Sequence, residues 1–391
     1  MWTLIWVAVS FCLLVYSATL LIRDSRSPLG VATLAAALIA PALVLACLIH
    51  ELGHAVLGRL AGLSIYRIAL AAGGSVLFRR RFRDCEFVLN SVPFGGHTLA
   101  APKPGEWLRL RVCVFLLGGC LANILAISAA VAGWILTRSL VVHAFLAPQI
   151  FMNLLLLVNL FPFRLRRAEL GKLESDGLGL LAWPFRNGDR LQQLRLSHFW
   201  LAGAAAADRN ELPLAESHYQ SGLHESPGHA VGLAGLAHVE FLRGKLNHAR
   251  DLLIQVGVRS LIETGRTDGE YWRLALIDVL LFRRELLWEA DHLSGQAFRR
   301  APWTPGIRAV RGAVLAMTGD VHEGLTLIDQ SIKSFRGRDR ALPLSLLAVA
   351  RWRAGDHVGA AAALNLARQA DPDCALLPRI GYQLGEPVPD G

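Results

Sequence analysis

The segment LIHELGH, residues 48–54, holds the side chains best suited to chemistry in this chain. His50 and His54 lie four apart, so on an α-helix they leave one face a turn apart and can hold one Zn2+ between their imidazoles. Glu51, beside them, is not a ligand in such an HExxH arrangement; it takes the proton from water that the metal has acidified. The implied chemistry is hydrolysis of an amide bond. A catalytic zinc normally takes three protein ligands and keeps a fourth position open, so a third ligand must come from elsewhere.

The surroundings sharpen this reading. Ionisable side chains within a bilayer cost on the order of 3 kcal/mol each on insertion scales, and they persist where they have a partner or a task. Two histidines satisfied by a neighbouring helix are the structural alternative to a metal site. The chain has 391 residues, of which 53% are hydrophobic, and its mean hydropathy is +0.39. That composition is too oily for an ordinary soluble enzyme.

Residues 1–22 carry no charge and reach the roughly 20 residues that a helix needs to cross hydrocarbon. The basic flank of a signal peptide is missing, which favours a retained helix. Apolar stretches follow at 29–60, 112–136 and 143–161, so four crossings are the simplest count. Beyond Trp183 charges recur every few residues. The expected division is a membrane domain over 1–190 and a water-soluble domain over 195–391.

Net charge is +9, and the basic residues flank the membrane. Arg59, Arg67, Arg79, Arg80, Arg81, Arg83, Lys103, Arg109 and Arg111 separate the second and third stretches; Arg164, Arg166, Arg167 and Lys172 follow the fourth. The positive-inside rule places both segments, and the soluble domain, in the cytoplasm, although Arg23 and Arg26 then fall outside. No nucleic-acid motif accompanies the charge, so the expected partner is the lipid bilayer and not nucleic acid. The six cysteines are scattered without a CxxC pair or disulfide framework and read as apolar filler.

The segment NLFPFRLRRAELGKLESDGLGLLAWPF, residues 159–185, offers the third ligand. Pro162 ends a helix, a basic excursion follows, and Asp176 with Gly177 opens another apolar run. Asp176 is the leading candidate. It could instead cap the short helix it precedes, leaving Glu169 or Glu174 to reach the metal.

With these pieces in view, residues 29–185 resemble the site-2 protease family of intramembrane zinc metalloproteases. The resemblance rests on HELGH in an apolar helix, SVPFGGH at 91–97, GGCLAN at 118–123, and NLFP followed by SDG. It implies His50, His54 and Asp176 as zinc ligands, Glu51 as general base, and Asn123 and Asn159 as polar groups near the site. An asparagine amide facing the bundle interior could hold a substrate carbonyl or oxyanion, or simply glue helices together. The spacing from Pro162 to Asp176 is longer than the family's usual few residues. No PDZ domain or CBS pair is recognisable.

Between the second and third stretches, SVLF and EFVLN read as short strands at the cytoplasmic membrane surface. An exposed strand edge there could pair with an unwound substrate backbone, or the segment could be a hairpin resting on headgroups. His97 reads as a surface histidine.

From about Arg195 small residues recur at a helical-hairpin period. Residues 214–253 fit the tetratricopeptide pattern through Ala215, Tyr219, Pro227, Ala234, Gly244 and Ala249. The pairs Gly244/Ala249, Glu285/Ala290, Gly319/Gly324 and Gly355/Ala360 repeat one five-residue offset, predicting a stack of roughly four to five hairpins. Such a solenoid binds a protein or peptide partner and does no chemistry itself. His218, His224, His229, His238 and His248 have no carboxylate or cysteine at ligand spacing.

The expected fold is therefore mainly α: a polytopic membrane helix bundle with a small β element, then a soluble α-solenoid. The expected function is a multi-pass zinc metalloprotease of the cell membrane that cuts a membrane protein substrate, with the repeats recruiting or gating it. The rival class is a noncatalytic membrane scaffold that assembles partners through the repeats.

Overall fold

A proline and a serine divide the first apolar sequence into three helices, α1 (Trp2–Arg23), α2 (Pro28–Ala37) and α3 (Ile39–Leu60). Ser27 caps α2 by accepting from Gly30 N at 3.2 Å, and Pro28 occupies its first turn. The stretch 29–60, expected as one span, breaks at Leu38. Pro41 lies in the first turn of α3, where a missing N–H costs no helical bond.

The computed structural model describes residues 2–23, 27–71, 76–83, 85–91, 95–103, 105–167, 171–264 and 271–385. The chain forms two compact units, Met1–Leu201 and Ala202–Gly391.

In the first unit, strands β1 (Leu63–Leu70), β2 (Val76–Phe82), β3 (Cys85–Asn90) and β4 (Gly96–Pro102) follow α3. They form one sheet in the order β2-β3-β1-β4. The central pair β1 and β3 is parallel; the outer pairs are antiparallel. β4 is thus an edge strand. The expected strands at SVLF and EFVLN are β2 and β3.

Helices α4 (Leu108–Leu136) and α5 (Leu140–Leu156) come next, α5 continuing as a 3-10 turn to Leu160. Among the described residues, three helices are long and apolar enough to cross a membrane: Ile39–Leu60, Leu108–Leu136 and Leu140–Leu160. In α1, the described apolar stretch is Val9–Ile22. Helices α3 and α4 touch backbone to backbone. A Cβ on Gly53 would lie 2.2 Å from Gly118 O, and one on Gly118 2.4 Å from Gly53 O. Only glycine at both positions permits that approach.

The excursion after Pro162 folds back on itself as a hairpin of β5 (Arg164–Arg167) and β6 (Gly171–Glu174). Ser175 closes its base: its N–H donates to Phe163 O at 3.0 Å and its Oγ to Phe161 O at 2.7 Å. Helices α6 (Asp176–Ala182) and α7 (Gly188–Asp208) follow.

The second unit contains α8 (Leu212–Glu225), α9 (Ala230–Leu242), α10 (Leu246–Thr264), α11 (Tyr271–Leu280), α12 (Leu287–Arg300), α13 (Pro305–Thr318), α14 (Val321–Ile332), α15 (Ala341–Arg353), α16 (His357–Ala370) and α17 (Leu377–Gln383). Four hairpins, α9–α10, α11–α12, α13–α14 and α15–α16, stack among the described residues. Gly244, Gly319 and Gly355 turn three of them with positive φ; in the fourth, where Glu285 replaces glycine, Phe282 takes φ 55°. The second member of each offset pair is small because helices meet there. Ala249 and Ala290 are fully buried, and a Cβ on Gly324 would lie 2.5 Å from Gly312 O.

Polar groups also sit within this stack, and two of them have displaced titrations. Asp278 is fully buried; it accepts from Arg250 Nε at 2.7 Å, and burial pushes its pKa up to about 6. Burial, with Arg273 adding to it, pushes that of His238 down to about 4.

Candidate metal centre

Two elements bring the predicted ligands together. His50 and His54 project from α3, and Asp176 is the first residue of α6. His50 Nε2 lies 3.1 Å from Asp176 Oδ2, His54 Nε2 lies 3.3 Å from the same oxygen, and the two Nε2 atoms are 3.2 Å apart. Burial is nearly complete, with residue exposures of 6%, 4% and 8%.

The protons of both imidazoles are placed elsewhere. His54 Nδ1 donates to Phe115 O at 2.7 Å, and His50 Nδ1 donates to Asn123 Oδ1 at 3.0 Å. Each Nε2 therefore presents a lone pair to the same point as the carboxylate oxygen. Three converging acceptors repel one another unless a cation lies between them. A tetrahedral ion with bonds of about 2.0–2.1 Å spaces its ligands by about 3.3 Å. The observed separations match that edge, so the donor set fits zinc.

Glu51, 5% exposed, is held apart from this triangle. Thr98 Oγ1 on β4 donates to Glu51 Oε2 at 2.7 Å and lies 3.1 Å from the Glu51 carbonyl. A Cβ on Gly96 would come within 2.8 Å of Glu51 Oε1. Glu51 and all three ligands line one cavity of about 420 Å³, together with Gly95, Gly96, His97, Thr98, Phe115, Asn159 and Phe163.

The alternatives for the third ligand separate clearly. Ser175, not Asp176, caps α6, accepting from Leu178 N at 3.2 Å. Asp176 is thereby free to face the imidazoles. Glu174 is paired with Arg186 and Arg164, and Glu169 lies outside the described residues. The long spacing from Pro162 does not displace Asp176, because the β5–β6 hairpin begins and ends at the same place. A Cβ on Gly177 would sit 1.7 Å from Leu160 O, so glycine is required where α6 meets the end of the preceding turn.

For Asn123 the contacts are those of the second of its two expected roles, a bond between helices, and for His97 the expectation changes. Asn123 is fully buried, with its Oδ1 on His50 and its Nδ2 donating to Asn153 Oδ1 at 3.0 Å. It meets the Nδ1 side of the His50 ring and is not among the residues that line the cavity. His97, expected at the surface, lines the cavity, because β4 packs beside α3. Asn159 does line the cavity; its Nδ2 donates to Asp176 Oδ2 at 2.6 Å and lies 3.3 Å from His50 Nε2.

Sequence reasoning missed Thr98, Gly119 and Asn153. Thr98 follows Gly96 at the two-residue period that puts both on one face of a strand. Asn153, like Asn123, is an amide within a predominantly apolar helix.

The model of peptidase family M50 matches residues 38–337. The chain belongs to peptidase family M50. As an M50 member it is of a metalloprotease family, and the match begins one residue before α3 and runs on into the helical hairpins. Among curated proteins none matches the chain. Solved structures with similarity include TTC0263, a thermophilic TPR protein in Thermus thermophilus, at 22% identity and TM-score 0.36, covering 48% of this chain and 98% of that one. YrrB, a TPR protein with an unusual peptide-binding site, gives 20% and 0.29, covering 45% and 86%. The Cut9-Hcn1 hetero-tetramer of APC/C gives 13% and 0.37, covering 72% and 57%.

Proposed function

We propose that this M50 member is an intramembrane zinc metalloprotease that hydrolyses a peptide bond in or near a transmembrane segment of another membrane protein. The observation that carries the reading is the convergence of His50 Nε2, His54 Nε2 and Asp176 Oδ2 at 3.1–3.3 Å, with both imidazole protons spent elsewhere. The triad lies on a helix of lipid-crossing length and at the start of α6. Zinc held there would supply Lewis acidity and make water nucleophilic near neutral pH.

The chain's own residues do the rest. Glu51 Oε2 is engaged by Thr98 Oγ1, which leaves Oε1 to take the proton from attacking water and to pass it to the leaving amine. Asn159 fixes the Asp176 carboxylate through one N–H; its amide also lies 3.3 Å from His50 Nε2, and with that nitrogen taken by a metal its other N–H would be the donor for a substrate carbonyl. The edge strand β4 runs along the cavity, where an extended substrate backbone could join it. An extended peptide is what the chemistry needs, since a helical peptide bond is shielded.

In this reading residues 1–190 form the protease domain, and residues 195–391 form a cytoplasmic repeat domain that recruits or gates the substrate. The arginines of β2 and of the segment after α5 support the cytoplasmic assignment. To test the function, the full chain and its Glu51→Gln variant are purified and incubated with a single-pass membrane protein that accumulates in cells when Glu51 is disabled. Cleavage by the wild type, and retained zinc without cleavage in the variant, are expected. Equal cleavage by both would contradict it.

A further inference from the structure

Two buried asparagines extend the metal centre into the bundle. Asn123 on α4 and Asn153 on α5 are 0% and 1% exposed. Each sits on a predominantly apolar helix, where an unsatisfied amide is costly. Their bonds run in one direction. Asn153 Nδ2 donates to the backbone carbonyl of Gln149 at 2.8 Å, Asn123 Nδ2 donates to Asn153 Oδ1 at 3.0 Å, and His50 Nδ1 meets Asn123 Oδ1 at 3.0 Å.

The direction follows from the far end. A backbone carbonyl can only accept, so Asn153 must turn its NH2 to Gln149 and its oxygen to Asn123. Asn123 must then offer its NH2 to Asn153 and its oxygen to His50. His50 in turn must carry its proton on Nδ1, which leaves Nε2 bare and aimed at Asp176. His54 needs no such chain, since Phe115 O accepts its Nδ1 proton directly. The two solutions lie on one face of α4, Phe115 and Asn123 being eight residues apart with Gly119 midway.

Resting on the zinc reading above, we infer that Asn153 and Asn123 are positioning residues that fix the metal-binding tautomer and ring orientation of His50, with the Gln149 carbonyl as the anchor. Partners of this kind behind a ligand typically change metal affinity about 10–100-fold when lost. A plain interhelical glue would affect stability instead.

The test measures zinc affinity by chelator competition on the full chain in detergent, for wild type, Asn153→Leu, Asn123→Leu, the double variant and Asn123→Asp. The absorption spectrum of the Co2+-loaded forms and the melting temperature of the metal-free forms are recorded alongside. Each single leucine variant should weaken zinc about 10–100-fold and shift the Co2+ bands. The double variant should be no weaker than Asn123→Leu, because both act through one chain of bonds. Asn123→Asp still presents an acceptor to His50 but meets Asn153 Oδ1 with a second oxygen, so it should weaken zinc less than Asn123→Leu does. Asn153→Ser, too short to reach Asn123, should match Asn153→Leu and replaces it if the leucine variant does not fold. Wild-type affinity in the Asn153 variants, or losses that multiply in the double variant, would overturn the relay alone. A wild-type chain that takes up no zinc would overturn the metal reading, and the relay with it.

Discussion

Adding one methyl group at Gly119 tests where the metal sits. A Cβ there would lie 2.5 Å from His54 Nε2, 2.6 Å from His50 Cε1 and 2.7 Å from His50 Nε2. Ordinary contact needs about 3.5 Å, so the rings would have to retreat by roughly 1 Å. Neither is free to do so, since Phe115 O and Asn123 Oδ1 hold their Nδ1 atoms. Metal bonds tolerate about 0.2 Å, and a 1 Å misplacement typically costs on the order of 100-fold in rate. Gly119→Ala should therefore lose most of its zinc and at least about 100-fold in cleavage, while overpacking costs about 1–3 kcal/mol in stability. The control is Gly133→Ala, whose Cβ would meet Leu146 Cδ1 at 3.4 Å and should keep both. The assay is zinc per chain by elemental analysis, with cleavage measured on the same sample. A Gly119→Ala protein with full zinc and full activity would refute the geometry.

Thr98→Val removes the donor to Glu51 Oε2; kcat should fall about tenfold or more with zinc and KM unchanged, and Thr98→Ser should restore it in steady-state kinetics. Gly177→Ala forces a methyl onto Leu160 O at 1.7 Å and should cost at least about 3 kcal/mol or displace Asp176, seen as lost zinc and a lower melting temperature. In the second unit half-buried His238 is kept neutral, burial and Arg273 lowering its pKa from 6.5 to about 4. Its contribution is complete above about pH 6.5 and is lost as pH falls towards 4, by at most about 3 kcal/mol. Denaturant melts of His238→Phe should show a flatter acid limb than wild type, and an unchanged limb would contradict the assignment.

How much of this is readable in the sequence depends on whether a feature is local. His50, Glu51 and His54 declare themselves because their spacing is the helical period and their surroundings are apolar. Asp176 is readable from Asp-Gly opening an apolar run. That the intervening residues form a self-closing hairpin is not, because it depends on pairing such as Arg164 with Glu174. The break at Leu38 is hidden by continuous hydropathy, with Pro41 as its only sign. Asn123 is expected near the site with two roles open, and its bonds to His50 and Asn153 depend on helix packing that a sequence does not state. Thr98 is unreadable for the same reason. The repeats are readable through Gly244, Gly319 and Gly355, because a left-handed turn selects glycine. The parallel pairing of β1 and β3 leaves no local mark.

The most direct test of the account is zinc X-ray absorption on the purified full chain, beside its Asp176→Ala variant. The account predicts one zinc per wild-type chain, with two imidazole nitrogens and a carboxylate oxygen at about 2.0–2.2 Å, and loss of that ion in the variant. A wild-type protein that cleaves its substrate without zinc, or a zinc shell unchanged by loss of Asp176, would contradict it.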